Sequence, residues 1–184
     1  MPVRKARMKT IPRLWLMTDE RVDDARLIAA AGRLPRGSAI IVRHYLTEAA
    51  ARRALFARLR AIARRRGLML LLAGDAAQAR RWGADGVHGH DVGGRRAGLL
   101  HSAPAHDMRE LRRARMAGAD AVLVSPVFPT RSHPGAVTLG PMRLATIFRH
   151  ASVPVIALGG MSARRARQLR GIGIHGWAAI DALS

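Results

Sequence analysis

Short apolar runs recur along the chain, separated by longer segments in which apolar positions return every three or four residues. The first run, Leu14-Trp-Leu-Met17, ends in Thr18-Asp19. Residues 38–42 form the second, and Leu68 to Ala73 the third, an unbroken apolar stretch of the kind that strands covered on both faces require. Between them, residues 23–31 predict a short helix. A longer one starts near Thr47, read as its cap with Glu48 in the first turn, and carries Ala51, Leu55, Leu59 and Ile62 on one face with arginines on the other. Residues 76–82 predict a third helix. The segment Gly83-Ala-Asp-Gly-Val-His88 then returns as Gly118-Ala-Asp-Ala-Val-Leu123 and, more loosely, as Gly173-Ile-His-Gly-Trp-Ala178. In each, a glycine stops a helix and a small apolar strand follows a polar residue. Residues 97–103 and 153–158 supply two further strands.

Eight short strands alternating with helices predict a parallel sheet with helices outside it. In one domain of 184 residues, that number favours an α/β closed (β/α)8 TIM-type barrel over an open five-stranded flavodoxin-like sheet. Such barrels average ~250 residues, so this one is trimmed. The helix after the fourth strand, at residues 91–96, is nearly absent, and little chain remains for an eighth helix. Residues 1–12 read as a basic tail and 13–184 as the barrel. A missing eighth helix would bare apolar wall, which allows a homodimer.

Composition changes this picture little. There is no cysteine, so neither disulfides nor thiolate chemistry, which fits a cytoplasmic protein. No apolar run is long enough to span a bilayer, and no signal peptide is legible. The formal charge of +20 invites a nucleic-acid reading. Yet the basic residues, all arginines apart from Lys5 and Lys9, are spread along helical segments as solvent faces, and the single tyrosine leaves stacking platforms scarce. Non-specific attraction to polyanions is expected; sequence-specific nucleic-acid binding is not.

Candidate chemistry gathers where strands end. The stretch from Leu123 to Gly135, LVSPVFPTRSHPG, places Thr130, Arg131, Ser132 and His133 on a proline-stiffened loop after a buried strand. His44, His88, His90, His106 and His133 all fall at or past C-terminal strand ends, the catalytic side of such barrels, and a histidine metal site is one hypothesis. Asp19 and Asp75 are strand-end carboxylates; for Asp19 helix capping is the favoured reading. Trp15, Trp82 and Trp177 are assigned to the core.

In their order, several of these pieces resemble the thiamine-phosphate synthase and thiazole tautomerase (TenI) family. Leu16-Met-Thr-Asp19, Gly83-Ala-Asp-Gly-Val-His88, Gly118-Ala-Asp, Ser125-Pro-Val-Phe-Pro-Thr130 and Pro154-Val-Ile-Ala-Leu-Gly-Gly-Met161 carry the likeness, which covers about residues 14–183. The resemblance implies a transferase that couples a pyrimidine pyrophosphate to a thiazole phosphate and releases pyrophosphate with Mg2+. It implies phosphate contacts from Arg43, Thr130, Ser132, Gly159 and Gly160, metal carboxylates at Asp75 and Asp91, and acid–base roles for His106 and His133. The partner is then a small phosphorylated pyrimidine or thiazole, with no membrane.

Several ligand positions differ from the family pattern. Where the family has Gln-x-Arg-x-Lys, this chain has Ile41-Val-Arg-His-Tyr45. Ala73-Gly74 stands in place of Asn-Asp, with Asp75 one residue late, and the loop lysine is His133. Asp181 takes the place of a phosphate-binding serine. These changes leave two alternatives open: a thiazole tautomerase-like isomerase, which needs an acid–base group and no metal, and a barrel that only binds or regulates.

Overall fold

The computed structural model describes residues 10–93, 98–132 and 135–184. Eight parallel strands close into a barrel in sequence order: β1 (Leu14–Met17), β2 (Ala39–Val42), β3 (Met69–Ala73), β4 (Gly86–His88), β5 (Leu100–Ala105), β6 (Ala121–Val124), β7 (Val155–Ala157) and β8 (Gly176–Ala179). The expected α/β barrel is therefore the fold. Closure is made by β1 against β8, with Leu14 beside Trp177 and Leu16 beside Ala179. The helices are α1 (Asp24–Arg33), α2 (Ala49–Arg66), α3 (Ala76–Trp82), α4 (Met108–Met116), α5 (Gly140–His150) and α6 (Ala163–Gln168). Among the described residues no helix lies between β4 and β5 or after β8; part of the segment 91–96, where the sequence predicts the helix after the fourth strand to be nearly absent, lies outside the described residues.

The repeated Gly-Ala-Asp segments have a physical purpose. Gly83 and Gly118 take left-handed φ values of 70° and 65°, a region that costs a Cβ-bearing residue energy. The aspartate two residues later then pins the neighbouring strand. Asp85 Oδ2 accepts from the Leu70 amide at 2.8 Å, and Asp120 Oδ2 from the His101 amide at 2.7 Å. In the looser third copy, His175 replaces the aspartate and its Nε2 meets the Ile11 carbonyl at 2.8 Å. Trp15 Nε1 donates to Pro12 O at 2.7 Å and the Trp177 amide to Arg13 O at 2.9 Å. The segment before β1 thus lies beside the start of β8.

Two apolar clusters fill the molecule. One joins β1–β5 to α1 and α2 through side chains such as Trp15, Leu27, Leu59 and Leu71; the other packs β6 and β7 against α4 and α5 through Leu111, Val122 and Leu144. Full burial contributes about 1.5–3 kcal/mol for each large side chain, enough to hold a barrel without its full ring of helices. On α2, Leu55, Leu59 and Ile62 are buried as expected, joined by Phe56, whereas Ala51 is exposed. Trp82 is half-buried against Phe56, with ring centres 5.3 Å apart.

Two capping assignments are corrected. Glu48, not Thr47, caps α2, accepting from the Ala50 and Ala51 amides at 2.8 and 3.1 Å. Thr47 is drawn away because its amide and hydroxyl both reach Glu20. Asp23, not Asp19, caps α1 through the Ala25 and Arg26 amides. Asp19 is committed to arginines, as its site surroundings explain.

Candidate active site at the barrel mouth

The C-terminal strand ends open into a cavity of about 660 Å³. Met17, Arg43, His88, Pro104, Ser125, Leu158 and Ala179 bring the ends of every strand except β3 to its wall. Residues projected from strand ends onto one face are what a parallel barrel supplies by construction, since the side chains beyond the ladder are released from sheet pairing.

At the β1–β2 side, Asp19 is buried and fully engaged. Its Oδ1 lies 2.7 Å from Arg21 Nε and 3.1 Å from the Arg21 amide, and its Oδ2 accepts from Arg21 Nη2 at 3.0 Å and Arg43 Nη2 at 2.9 Å. The hydrogen bond from the Arg21 side chain outweighs burial and holds the Asp19 carboxyl below the usual carboxylate range. Arg21 continues across the mouth, donating to Arg131 O at 2.9 Å and to Ser132 Oγ at 2.8 Å. It ties the loop after β6 to the end of β1.

Behind this pair, Thr18 Oγ1 accepts the Arg43 amide at 3.1 Å and lies 2.9 Å from His44 Nδ1. Burial pushes His44 below the ordinary histidine value, which favours the neutral ring. A neutral ring either accepts the Thr18 hydroxyl proton at Nδ1 or donates its own to Oγ1, according to its tautomer. His88, in the cavity wall, is buried with its Nδ1 3.0 Å from Ser102 Oγ. Burial first, and the Arg43 charge second, depress its pKa to about 3, so it presents a neutral ring at physiological pH.

At the β5 side, His106 Nδ1 sits 2.6 Å from Glu110 Oε2, one turn along α4. The same oxygen accepts the His106 amide at 2.9 Å and lies 3.6 Å from His90 Nε2. Asp107 caps α4 by accepting the Glu110 amide at 2.8 Å, so Glu110 is held by a capping-box arrangement that aims it back at His106. Burial alone would raise the Glu110 carboxyl; the hydrogen bonds from His106 prevail and hold it lower.

At the β6–β7 side, the loop after β6 runs beside the turn after β7. The Val127 amide donates to Leu158 O at 2.9 Å and the Phe128 amide to Gly159 O at 3.0 Å. A Cβ on Gly159 would fall 2.6 Å from Pro126 Cα, and one on Gly160 would strike the Pro129 carbonyl. Glycine is thus required at both positions, with φ values of 86° and 61°. Arg131 reaches over to Asp181 after β8, with Nη2 to Oδ1 at 3.0 Å. The carboxylate in place of a serine is therefore paired with a cation of the neighbouring loop.

Of the residues singled out in the sequence, Arg43, His106, Thr130, Ser132, Gly159 and Gly160 line this one cavity. Asp75 and Asp91 do not. Asp75 is exposed and caps α3, accepting the Gln78 amide at 2.7 Å. Asp91 lies in a separate hollow with Arg109, Arg112 and Arg113. His133 lies outside the described residues. Among the described residues no three His, Cys, Asp or Glu side chains are placed to hold a metal. Sequence reading missed Arg21, Glu110 and Arg165 as members of the rim. Glu110 was detectable as the third residue after Asp107 ahead of an apolar helix face; Arg21 and Arg165 carried no local signal.

The family model described as thiamine monophosphate synthase (TMP-TENI) matches residues 14–183. The chain is 32% identical to a thiamine-phosphate synthase of Thiobacillus denitrificans, over 96% of this chain and 89% of that one. It is 34% identical to that of Chromobacterium violaceum, over 92% and 87%. A solved thiamine phosphate pyrophosphorylase from Pyrococcus furiosus superposes with a TM-score of 0.77 at 24% identity, covering 92% of this chain and 86% of that one, which attests the fold. With a family match across nearly the whole barrel and two such relatives, this chain belongs to the thiamine-phosphate synthase and TenI family.

Proposed function

We propose that the cavity binds a pyrimidine pyrophosphate and a thiazole phosphate and couples them, as a transferase of the synthase type. The supporting observation is that Arg43, Thr130, Ser132, Gly159 and Gly160, expected from separate motifs, line a single cavity with His106. In the coupling, a carbon–nitrogen bond forms between the two heterocycles. The carbon–oxygen bond to pyrophosphate breaks, and its electron pair leaves on the pyrophosphate oxygen. A leaving pyrophosphate anion needs fixed cations, and a developing pyrimidine cation needs a wall without competing positive charge. The neutral His88 and the apolar Met17 and Leu158 suit that wall.

Magnesium is the cofactor such a coupling implies, and the expected carboxylates do not fit it. Asp75 spends its carboxylate on a helix cap outside the cavity and Asp91 faces a different hollow. Asp181 lines the cavity but is paired with Arg131. Guanidinium groups, Arg43 foremost, are left as the cations for the leaving group. The test is pyrophosphate release from the two substrates with the full-length protein, in Mg2+ and in EDTA. Release in both media supports the reading, and release that needs Mg2+ would place the metal with other ligands. No release in either removes the synthase reading.

The contact between His106 and Glu110 favours a second reading, a thiazole tautomerase. A histidine held by a carboxylate can move a proton on a bound thiazole without any metal. Proton exchange at a thiazole carboxylate phosphate, followed by deuterium incorporation, would support that reading if coupling fails.

A further inference from the structure

Among the described residues, three guanidinium groups besides the Arg21 strap reach the cavity, and they are not equivalent. Arg43 is held by Asp19 at 2.9 Å, a carboxylate it shares with Arg21, and Arg131 by Asp181 at 3.0 Å, so each already has a carboxylate partner. Arg165 lies within ion-pair distance of no carboxylate among the described residues. It is half-buried, with Nη1 donating to the Gly160 carbonyl and its guanidinium carbon 4.9 Å from the centre of the Phe128 ring. Both contacts fix the plane of the group, while a guanidinium has five N–H donors and the carbonyl uses one nitrogen.

Its neighbours point the same way. The Gly159 and Gly160 amides donate to no protein acceptor among the described residues, and both residues line the cavity with Arg165. Two uncommitted amides beside an unneutralised, oriented cation form a place for an anion. At Arg43 and Arg131 an incoming anion competes with a carboxylate already in place. We propose that Arg165 is the side chain that binds the terminal phosphate of the ligand at the Gly159–Gly160 turn. Asp181, by holding Arg131, makes the site depend on Arg165. This rests on the reading that the cavity takes a phosphorylated heterocycle, and it adds a specificity-determining residue to that reading.

The test is calorimetric titration of the full-length protein with thiazole phosphate, the unphosphorylated thiazole alcohol and inorganic phosphate. Arg165→Gln keeps a polar side chain with N–H donors but is shorter and loses the charge. A lost charge-assisted hydrogen bond weakens binding roughly 10-fold or more, so R165Q is expected to raise the thiazole phosphate Kd by at least that factor. The alcohol should bind R165Q and the unaltered protein alike. Arg131→Gln should change the phosphate Kd less than about threefold, because Asp181 already compensates that charge. Asp181→Asn, which frees Arg131, should tighten phosphate binding. An unchanged melting temperature for R165Q shows that the loop remains folded. Thiazole phosphate binding to R165Q that matches the unaltered protein overturns the assignment. Binding of inorganic phosphate that R165Q abolishes, without any binding of thiazole phosphate, supports the anion site and overturns the coupling reading. Failure of both anions to bind the unaltered protein overturns both.

Discussion

Asp19 and Arg43 close the gap between the ends of β1 and β2 with one hydrogen-bonded ion pair of 2.9 Å, and Asp19 alone of the two is buried. The pair matters because Asp19 also holds Arg21, which in turn holds the loop after β6. One carboxylate therefore organises two cations and, through one of them, the opposite side of the mouth.

Replacing Asp19 by Asn is expected to destabilise the protein by about 1–3 kcal/mol, less than the ~3–5 kcal/mol for breaking a fully buried pair because both arginines keep contact with water. Urea unfolding at neutral pH reads this directly. The acid limb carries a second signature. The carboxyl sits lower in the folded state than in the unfolded chain, so its contribution is present above an unfolded pKa of about 3.9 and is lost as pH falls through the folded value. D19N should lose that part of the acid dependence below about pH 4, and an acid limb identical to the parent protein would refute the assignment.

His88 makes the reverse kind of switch. With a folded pKa of about 3 against an ordinary value of 6.5, it stays neutral in the barrel while the unfolded chain takes up a proton. Stability contributed by neutral burial is complete above pH 6.5 and drains away as pH falls from there toward 3, at up to about 1.4 kcal/mol per pH unit. Denaturant melts of His88→Gln and the parent protein should show a shallower slope for the variant between pH 6 and 4. Equal slopes would mean that His88 titrates normally.

Glu110 has two separable tasks, and two variants divide them. Glu110→Ala removes both the acceptor for the His106 amide and the partner of the ring, costing about 1 kcal/mol at the helix start. Glu110→Gln retains an acceptor oxygen and should melt near the parent protein. If His106 moves a proton in the reaction, both variants should lower kcat by roughly 10-fold with little change in KM, a fraction of what a general base contributes. A KM effect alone would assign Glu110 to binding.

Gly160→Ala tests the packing of the two loops. The residue is at φ 61° and a Cβ there meets the carbonyl of Pro129, so the variant must push the β6 loop away or leave the left-handed region. A loss of about 1–3 kcal/mol is expected, with weakened phosphate binding. Gly171→Ala, where nothing lies within 4 Å, is the control and should be near neutral.

Much of this was readable along the chain. Alternating apolar runs and helical periods gave the closed barrel, because each pattern reports which faces must leave water. The loop from Ser125 to Thr130 and the Gly159-Gly160 turn were legible as site elements because proline and glycine constrain the backbone locally. Element edges were less secure: the fifth strand, expected at residues 97–103, runs Leu100–Ala105, since pairing with β4 and β6 sets its ends. Asp19 was misassigned to a cap for the same kind of reason. A strand-end aspartate before a helix looks like a cap until the partner strand delivers Arg43, 24 residues on, to its other oxygen.

What the sequence by itself determined, then, was the barrel, the family and the loops that carry polar groups, all of which follow from local periodicity and backbone chemistry. The tertiary structure alone decided which charges are spent. It paired Arg43 with Asp19 and Arg131 with Asp181, turned Asp75 to a helix cap, set Glu110 against His106 and left Arg165 beside two uncommitted amides. Charge state and direction depend on neighbours brought from other strands, and no stretch of chain holds them until the barrel closes.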